Sequence, residues 1–229
     1  MSDAADPMNR ATILDGIRRS LHRGELSPAQ RQAVQARLAQ PPRGPAVARA
    51  NLPQDSRVEL FCQWAELNNA TVARVGAADV PAEVTAYLAR NNLPAEAAMA
   101  PSPALDAFDW AGQKMLSLRR GRGEGSDHVS ITGAFAGIAE TGTLVMASGP
   151  DHPVTLNLLP DTHIVVLRED DIVGGYEEVW ARLRARYGKD RLPRTVNTIT
   201  GPSRTGDIEQ TIELGAHGPR RMHIVVVRP

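Results

Sequence analysis

The 229 residues are enough to bury one core, and with 42% of them apolar they favour a single domain with an appendage over two equal domains. The 26 basic and 26 acidic residues cancel, so no overall field attracts the chain to nucleic acid or to an anionic membrane. Cys62 is the only cysteine, which excludes an intramolecular disulfide and supplies too few thiolates for an iron–sulfur cluster. No apolar run approaches the roughly eighteen residues of a membrane helix, and the first residues lack the hydrophobic stretch of a signal peptide. We therefore expect a cytoplasmic protein.

The beginning of the chain predicts a helical arm followed by a stiff linker. Apolar residues recur at helical spacing over residues 11–23, and Ser27 followed by Pro28 is typical of an N-cap with proline in the first turn of a second helix. We therefore predict a helical arm over residues 1–39, to which no ligand is assigned. Its arginines are typical of the solvated face of small helices. Several prolines predict a linker over residues 40–54.

From residue 55 onward the sequence alternates between helical and extended patterns. Helices are predicted at 56–68, 81–90 and 176–187, and a turn leading into a helix is predicted up to residue 214. Apolar runs predict strands at 70–75, 142–147, 163–168, 195–200 and 222–227. This alternation indicates a mainly parallel sheet that is covered on both faces. We therefore predict one α/β domain over residues 55–229.

The segment 137–143 combines glycines, hydroxyl groups and a carboxylate at the entrance to a predicted strand. Gly142 permits a positive φ or a close backbone approach, and Thr141 and Thr143 carry hydroxyl donors beside the carboxylate of Glu140. These residues fit a polar ligand cradle. They fit equally a tight turn in which Glu140 accepts backbone hydrogen bonds and the threonines cap strand ends.

A second polar segment, 200–209, lies between a predicted strand and a predicted helix. Such a junction directs backbone N–H groups outward, and Arg204 adds a planar cation that suits a carboxylate or a phosphate. Alternatively, Asp207 is only the N-cap of the helix and Arg204 pairs with Glu209. The segment matches neither a Walker loop nor a GxGxxG fingerprint. The candidate ligand-binding residues in it are Gly201, Ser203, Arg204, Thr205 and Asp207.

The six histidines contain no pair separated by three or four residues, so we expect no dedicated metal site. His152 and His217 lie in loops that contain glycine and proline, where side chains commonly converge, and we choose His217 as the candidate. His163 and His223 begin apolar strands and are interpreted as structural. Hydrolase and thiol-redox chemistry lack support, because the sequence contains no GxSxG or CxxC motif.

Three stretches together resemble one known family: GIAETGTLVM, SGPDHPVTLNLLPDTHIVVL and TITGPSRTGDIEQTIELGAHGPRRMHIVVV. Over residues 55–229 the chain resembles the lactate-utilisation (LUD) domain family, specifically lactate-utilisation protein C and its short relatives. The resemblance implies a Rossmann-like sheet similar to that of the ribose-5-phosphate isomerase, glucosamine-6-phosphate deaminase and CoA-transferase group. The recurrent positions of the family fall on Glu140, Thr141, Gly142, Thr143, Gly201, Pro202, Ser203, Arg204, Thr205, Asp207, His217, Gly218 and Pro219.

The resemblance also implies participation in the oxidation of L-lactate to pyruvate, beside partner proteins that carry iron–sulfur clusters. We therefore expect a supporting subunit that holds no cofactor and binds a small carboxylate or phosphate-bearing anion. One alternative is an independent transferase or cyclo-ligase in which Glu140 acts on a phosphate ester or acyl substrate, and another is a non-catalytic assembly factor. We further predict that the two polar segments share one cleft at the carboxyl edge of the sheet, with Arg204 as the chief contact of the anion.

Overall fold

A computed structural model describes residues 7–42, 44, 47–188, 191–208 and 211–229. The described residues up to 44 form one unit, and those from 47 onward form another. Within these ranges no helix has the length and apolar character needed to span a bilayer. Seven α-helices occur in them: α1 (Pro7–Ser20), α2 (Pro28–Ala39), α3 (Gln54–Leu67), α4 (Val80–Arg90), α5 (Pro103–Asp106), α6 (Thr155–Leu158) and α7 (Tyr176–Tyr187).

The N-terminal unit contains α1 and α2, so the two helices predicted for the arm are confirmed. A capping box starts α2. The Ser27 hydroxyl accepts the N–H of Gln30 at 3.3 Å, and the Gln30 side chain accepts the N–H of Ser27 at 2.9 Å. Pro28 fits the first turn, because an N–H at that position would have no partner within the helix.

The second unit contains three sheets. Twelve strands are described: β1 (Thr71–Val75), β2 (Glu96–Met99), β3 (Ser117–Arg120), β4 (Val129–Gly133), β5 (Ala136–Ile138), β6 (Thr143–Ala147), β7 (Thr162–Arg168), β8 (Ile172–Val173), β9 (Val196–Ile199), β10 (Arg204–Ile208), β11 (Thr211–Leu214) and β12 (Arg221–Val227). The largest sheet has the order β1-β12-β7-β4-β2-β3, and every neighbouring pair in it is parallel. The predicted parallel sheet is therefore confirmed.

Apolar side chains cover both faces of this sheet, because alternate residues of a strand point to opposite sides. Ile164 and Val166 of β7 pack in the cluster that contains α4, whereas Val165 and Leu167 pack in the cluster that contains α3. Full burial of each such side chain stabilises the fold by about 1.5–3 kcal/mol relative to exposure. Because both faces of the central strands are buried, the strands appear in the sequence as continuous apolar runs.

A four-stranded sheet, in the order β8-β5-β6-β9, lies beside α3 on one face of the parallel sheet. The strands predicted at 142–147 and 195–200 are confirmed as β6 and β9, but they belong to this second sheet and run antiparallel to each other. Four residues connect β5 to β6, and so short a connection joins antiparallel strands. The outer face of this sheet packs against α7, whose Val179 and Leu183 are buried.

The predicted turn-to-helix segment up to residue 214 is wrong, because β10 and β11 form an antiparallel ribbon there. Arg204 pairs with Leu214, and Ile208 pairs with Thr211. The segment contains Ile208, Thr211 and Ile212, whose branched side chains favour extended backbone. No helix begins at Asp207, so the expected helix N-terminus is not available to an anion.

Candidate functional site

A cavity of about 970 Å³ lies at the carboxyl edge of the six-stranded sheet. Gly133 is the last residue of β4, Ser102 follows the end of β2, Asp171 follows the end of β7, and all three line the cavity. In this sheet the chain passes from β2 to β3 in one direction and from β4 to β7 in the other. The cavity therefore lies at a reversal of strand order, where open α/β sheets usually bind their ligands.

Four charged side chains line this cavity: Asp151, Asp171, Arg182 and Arg186. Nη1 of Arg182 lies 3.6 Å from Oδ1 of Asp171, and its Nη2 donates to the carbonyl oxygen of Asp170 at 3.3 Å. Burial raises the pKa of Asp171, and the charge of Arg182 opposes that rise. The side chain of Arg186 is exposed and makes no hydrogen bond or ion pair with the residues that the structure describes. Arg186 is therefore the cation of this cavity that can accept an anionic ligand.

His152 forms part of the wall of the cavity, in the loop after β6. Two backbone hydrogen bonds with Gly149 close a tight turn there, at 3.3 and 3.1 Å. The ring Nε2 lies 3.1 Å from Oδ1 of Asn157, which is buried in α6. Burial lowers the pKa of His152, and the bond to Asn157 opposes that change. The imidazole is therefore neutral near pH 7.

A second histidine, His163, lies in the core of the sheet. Its Nε2 is 2.7 Å from Oγ1 of Thr132, the residue that precedes Gly133 in the cavity wall, and both side chains are fully buried. Burial, and then the nearby charge of His152, lower the pKa of His163 to about 3. Its Nδ1 has no hydrogen-bond partner within the described ranges. His163 is thus an uncharged residue of the core.

The sequence-predicted residues Glu140, Thr141, Gly142 and Thr143 do not line this cavity. They lie in the turn from β5 to β6, where Nδ2 of Asn68 donates to the carbonyl oxygen of Thr141 at 3.4 Å. Asn68 follows α3 and comes just before β1, so this turn lies at the amino edge of the six-stranded sheet. The expected position at the carboxyl edge is wrong, because β6 begins at this turn and ends at the cavity.

Glu140 is 7% exposed and lies at the start of α7. Its Oε1 accepts the N–H of Tyr176, the first residue of that helix, at 3.3 Å. A carboxylate at this position stabilises the helix by about 0.3–1 kcal/mol or more, because the N-terminus carries a partial positive charge. The geometry therefore gives Glu140 a structural contact, and its catalytic role stays a prediction.

Hydroxyl groups connect the two polar segments. Oγ1 of Thr143 lies 2.7 Å from Oγ1 of Thr141 and 2.7 Å from Oγ1 of Thr200, and the hydroxyl of Tyr176 donates to it at 3.4 Å. Thr143 itself is fully buried. The two segments therefore meet, as predicted, but at the edge of the parallel sheet opposite the cavity.

The remaining predicted residues lie near the beginning of β12. The N–H of Ser203 donates to the carbonyl oxygen of Pro219 at 2.8 Å, and its Oγ accepts the N–H of His217 at 3.2 Å. The side chain of His217 is exposed, as is that of Arg204, which forms no hydrogen bond or ion pair within the described ranges. Thr205 is half-buried in β10, and the side chain of Asp207 and the whole of Glu209 lie outside the described residues. Their role in ligand binding stays a prediction.

Gly201 packs against the C-terminal end of α3, as Gly142 does. Its φ is 72°, and a Cβ there would lie 2.0 Å from the carbonyl oxygen of Asn68. A larger residue would force the backbone of α3 to move. This close approach explains why residue 201 is a glycine, and no ligand is needed for that explanation.

No three histidine, cysteine, aspartate or glutamate side chains in the described ranges are grouped to hold a metal ion. Cys62 is half-buried in α3, and burial raises the pKa of its thiol to about 11. This thiol is therefore protonated near pH 7, whereas a metal ligand must be a thiolate.

Comparison with known proteins identifies related chains. Residues 58–227 match the family model described as LUD domain. An uncharacterized protein of Neisseria meningitidis serogroup B is 38% identical over 43% of this chain and 42% of its own length. Lactate utilization protein C of Geobacillus sp. is 32% identical over 56% of this chain and 52% of its own length. The matches thus span about half the length of these two relatives.

Two further matches cover more of the chain. Lactate utilization protein C of Deinococcus radiodurans is 31% identical over 75% of this chain and 81% of its own length. A crystal structure of a DUF162 family protein from the same organism covers 77% of this chain and 99% of that chain, with a TM-score of 0.59 and 26% identity. The α/β architecture is therefore shared with a solved protein.

Proposed function

Because this chain belongs to the LUD domain family, we propose that it acts in lactate utilization by binding a small carboxylate in the cavity at the ends of β2 and β4. The relatives named Lactate utilization protein C support the role in lactate utilization. One observation above all supports the binding site. The exposed Arg186 has no partner among the described residues, and it lines a cavity at the carboxyl edge of the parallel sheet.

The chemistry of the wall suits a carboxylate. The planar guanidinium of Arg186 can donate two parallel hydrogen bonds to the two oxygens of a carboxylate. Oγ of Ser148 accepts the N–H of Thr195 at 2.9 Å, which leaves its own hydrogen free to donate into the cavity. Arg182 is already paired with Asp171, and the pair carries no net charge. Lactate and pyruvate fit this class of ligand.

The proposal includes partner proteins that hold the iron–sulfur clusters and accept electrons from lactate. The chain has one cysteine, Cys62, and burial keeps its thiol protonated. A cluster needs several thiolates, so this chain supplies too few ligands. Capture of the native complex, followed by iron and acid-labile sulfide analysis of each component, tests this part. Clusters that purify with this chain alone would contradict it.

The binding site is tested by calorimetric titration of L-lactate and pyruvate into wild type and three arginine variants. Arg186→Ala should weaken binding by about ten- to a hundredfold, because charge-assisted hydrogen bonds contribute about 1.5–3 kcal/mol each. Arg184→Ala is the matched control, since Arg184 lies in the same last turn of α7 but not in the cavity wall. Arg204→Ala tests the site predicted from sequence.

Each outcome of this titration decides between sites. Loss of binding in Arg186→Ala alone supports the cavity. Loss of binding in Arg204→Ala alone would place the carboxylate at the β10–β11 ribbon and would contradict binding in the cavity. If wild type binds neither acid, or if Arg186→Ala binds both as wild type does, the proposed carboxylate site is wrong.

A further inference from the structure

Besides its two carboxylates, the wall of the cavity contains a neutral side chain suited to accept a hydrogen bond from a ligand hydroxyl group. His152 and Arg186 line the same cavity from different elements, the loop after β6 and the last turn of α7. A carboxylate bound by Arg186 therefore lies in a space that the imidazole also borders. A small 2-hydroxy acid has one other polar group, the hydroxyl on the carbon next to its carboxylate.

The contact with Asn157 determines which ring nitrogen of His152 carries the hydrogen. Nε2 lies 3.1 Å from Oδ1 of Asn157, and an amide oxygen only accepts hydrogen bonds. Nε2 therefore donates, and the neutral ring keeps its lone pair on Nδ1. Asn157 is 1% exposed, so its burial in α6 holds the ring in one orientation. The result is an imidazole held in one orientation, whose Nδ1 is an acceptor and whose residue lines the cavity.

We infer that Nδ1 of His152 accepts a hydrogen bond from the hydroxyl group of a 2-hydroxy acid, and that it makes the cavity selective for such acids. This inference rests on the carboxylate site proposed above and assigns no chemical step to His152. A hydroxyl group donates to Nδ1, whereas the carbonyl oxygen of a 2-oxo acid only accepts and a plain alkanoic acid offers no polar group. The cavity therefore binds L-lactate more tightly than pyruvate or propionate.

The size of the preference follows from the energetics of one neutral hydrogen bond. Such a bond changes an affinity by roughly two- to tenfold, and an acceptor left unpaired in a desolvated wall enlarges the difference. Wild type should therefore bind L-lactate about tenfold more tightly than propionate. The ratio of these two dissociation constants isolates the hydroxyl group, because both acids carry the same carboxylate.

The test is a calorimetric titration of L-lactate, pyruvate and propionate into wild type, His152→Leu, His152→Asn and His128→Leu. His152→Leu removes the acceptor and should bring the lactate-to-propionate ratio to about one, with propionate affinity unchanged. His152→Asn keeps an acceptor near the position of Nδ1 and should retain part of the preference. His128→Leu is the control, because the side chain of His128 is exposed and lies outside the cavity wall. It should keep the wild-type ratio.

The results that contradict this inference differ from the results that contradict the carboxylate site. Equal binding of the three acids by wild type, or an unchanged ratio in a folded His152→Leu protein, overturns the role of His152 and leaves Arg186 untouched. Absence of binding of every acid to wild type overturns both. Should His152→Leu not fold, as judged by its unfolding curve, the wild-type ratio and the His152→Asn ratio decide the matter. A wild-type ratio near one, or a His152→Asn ratio equal to that of wild type for every acid pair, counts against it.

Discussion

Gly142 should be required for the stability of the fold through its packing against α3. Its φ is 65°, in the left-handed region that residues with a side chain rarely adopt. A Cβ at this position would lie 2.4 Å from the amide nitrogen of Ala65 and 2.6 Å from the carbonyl carbon of Trp64. Both atoms belong to the backbone of α3 and cannot move by a change of rotamer. We therefore expect Gly142→Ala to lower the free energy of unfolding.

The magnitude has two parts. Left-handed backbone alone destabilises a residue with a Cβ by about 1–2 kcal/mol. Ordinary contact begins near 3.4 Å, so the turn and the helix must separate by about 1 Å within a close-packed interior. Such overpacking adds about 1–3 kcal/mol. The total, about 2–5 kcal/mol, is a large share of the 5–15 kcal/mol or so that stabilises a typical domain.

A variant at another glycine of positive φ provides a comparison without a clash. Gly188 also has a positive φ, 89°, but a Cβ there would meet nothing within 4 Å. Gly188→Ala should therefore show a backbone cost without a clash, at a ψ of 158° that lies outside the left-handed region. Guanidinium chloride unfolding followed by circular dichroism gives both free energies, provided the slopes agree. If Gly142→Ala lowers the free energy of unfolding by no more than about 1–2 kcal/mol, the cost of left-handed backbone alone, the turn does not pack on α3.

Two further predictions concern charge and pH. Asp151→Asn removes a negative charge from the cavity wall and should tighten L-lactate binding by about two- to fivefold at low salt, whereas Asp161→Asn at the opposite edge should not. Burial lowers the pKa of His163 to about 3 and that of His223 to about 4, against about 6.5 when unfolded. As the pH falls, the unfolded state is therefore protonated first. The free energy of unfolding should be at its full value above pH 6.5, and at pH 5 it should be lower by about 2 kcal/mol per histidine, as measured by denaturant unfolding.

Clear results would contradict these two predictions. Equal lactate affinity in Asp151→Asn and wild type at low ionic strength would show that the ligand lies outside the field of that carboxylate. For the histidines, His163→Gln should lose part of the change in stability between pH 7.5 and 5. An unchanged pH dependence in this variant would show that His163 is already protonated in the folded protein, or that it is not buried.

The sequence predicted β7 and β12 well, and it missed β4 for a physical reason. β7 and β12 were located to within one residue, because strands buried on both faces are continuously apolar. β4 is equally buried, but it contains Ser130 and Thr132, whose hydroxyl groups are satisfied by Leu156 and His163. Composition does not reveal that a polar residue has a partner inside the core. The strand was therefore not predicted.

The candidate cavity was missed because its residues are far apart in the sequence and form no motif. Arg186 and His152 come together only when α7 and the loop after β6 meet above the parallel sheet. Two weak signals existed. Arg182 and Arg186 are four residues apart on a predicted helix, which places them on one face. His152 also lies in a loop with glycine and proline, but so does His217, and composition alone does not distinguish the two.

The motif residues and the cavity are connected through β6. The turn that contains Gly142 packs against α3, and β6 leads from this turn to the loop that contains His152, over roughly 15 Å at about 3.4 Å per residue. A substitution in the turn therefore destabilises the fold that holds the cavity, without contact with a ligand. Such a variant should lose folded protein while its folded fraction keeps the preference for lactate over propionate. Loss of activity in variants of the turn thus fails to identify a binding site, whereas a changed ratio of affinities in variants of His152 succeeds.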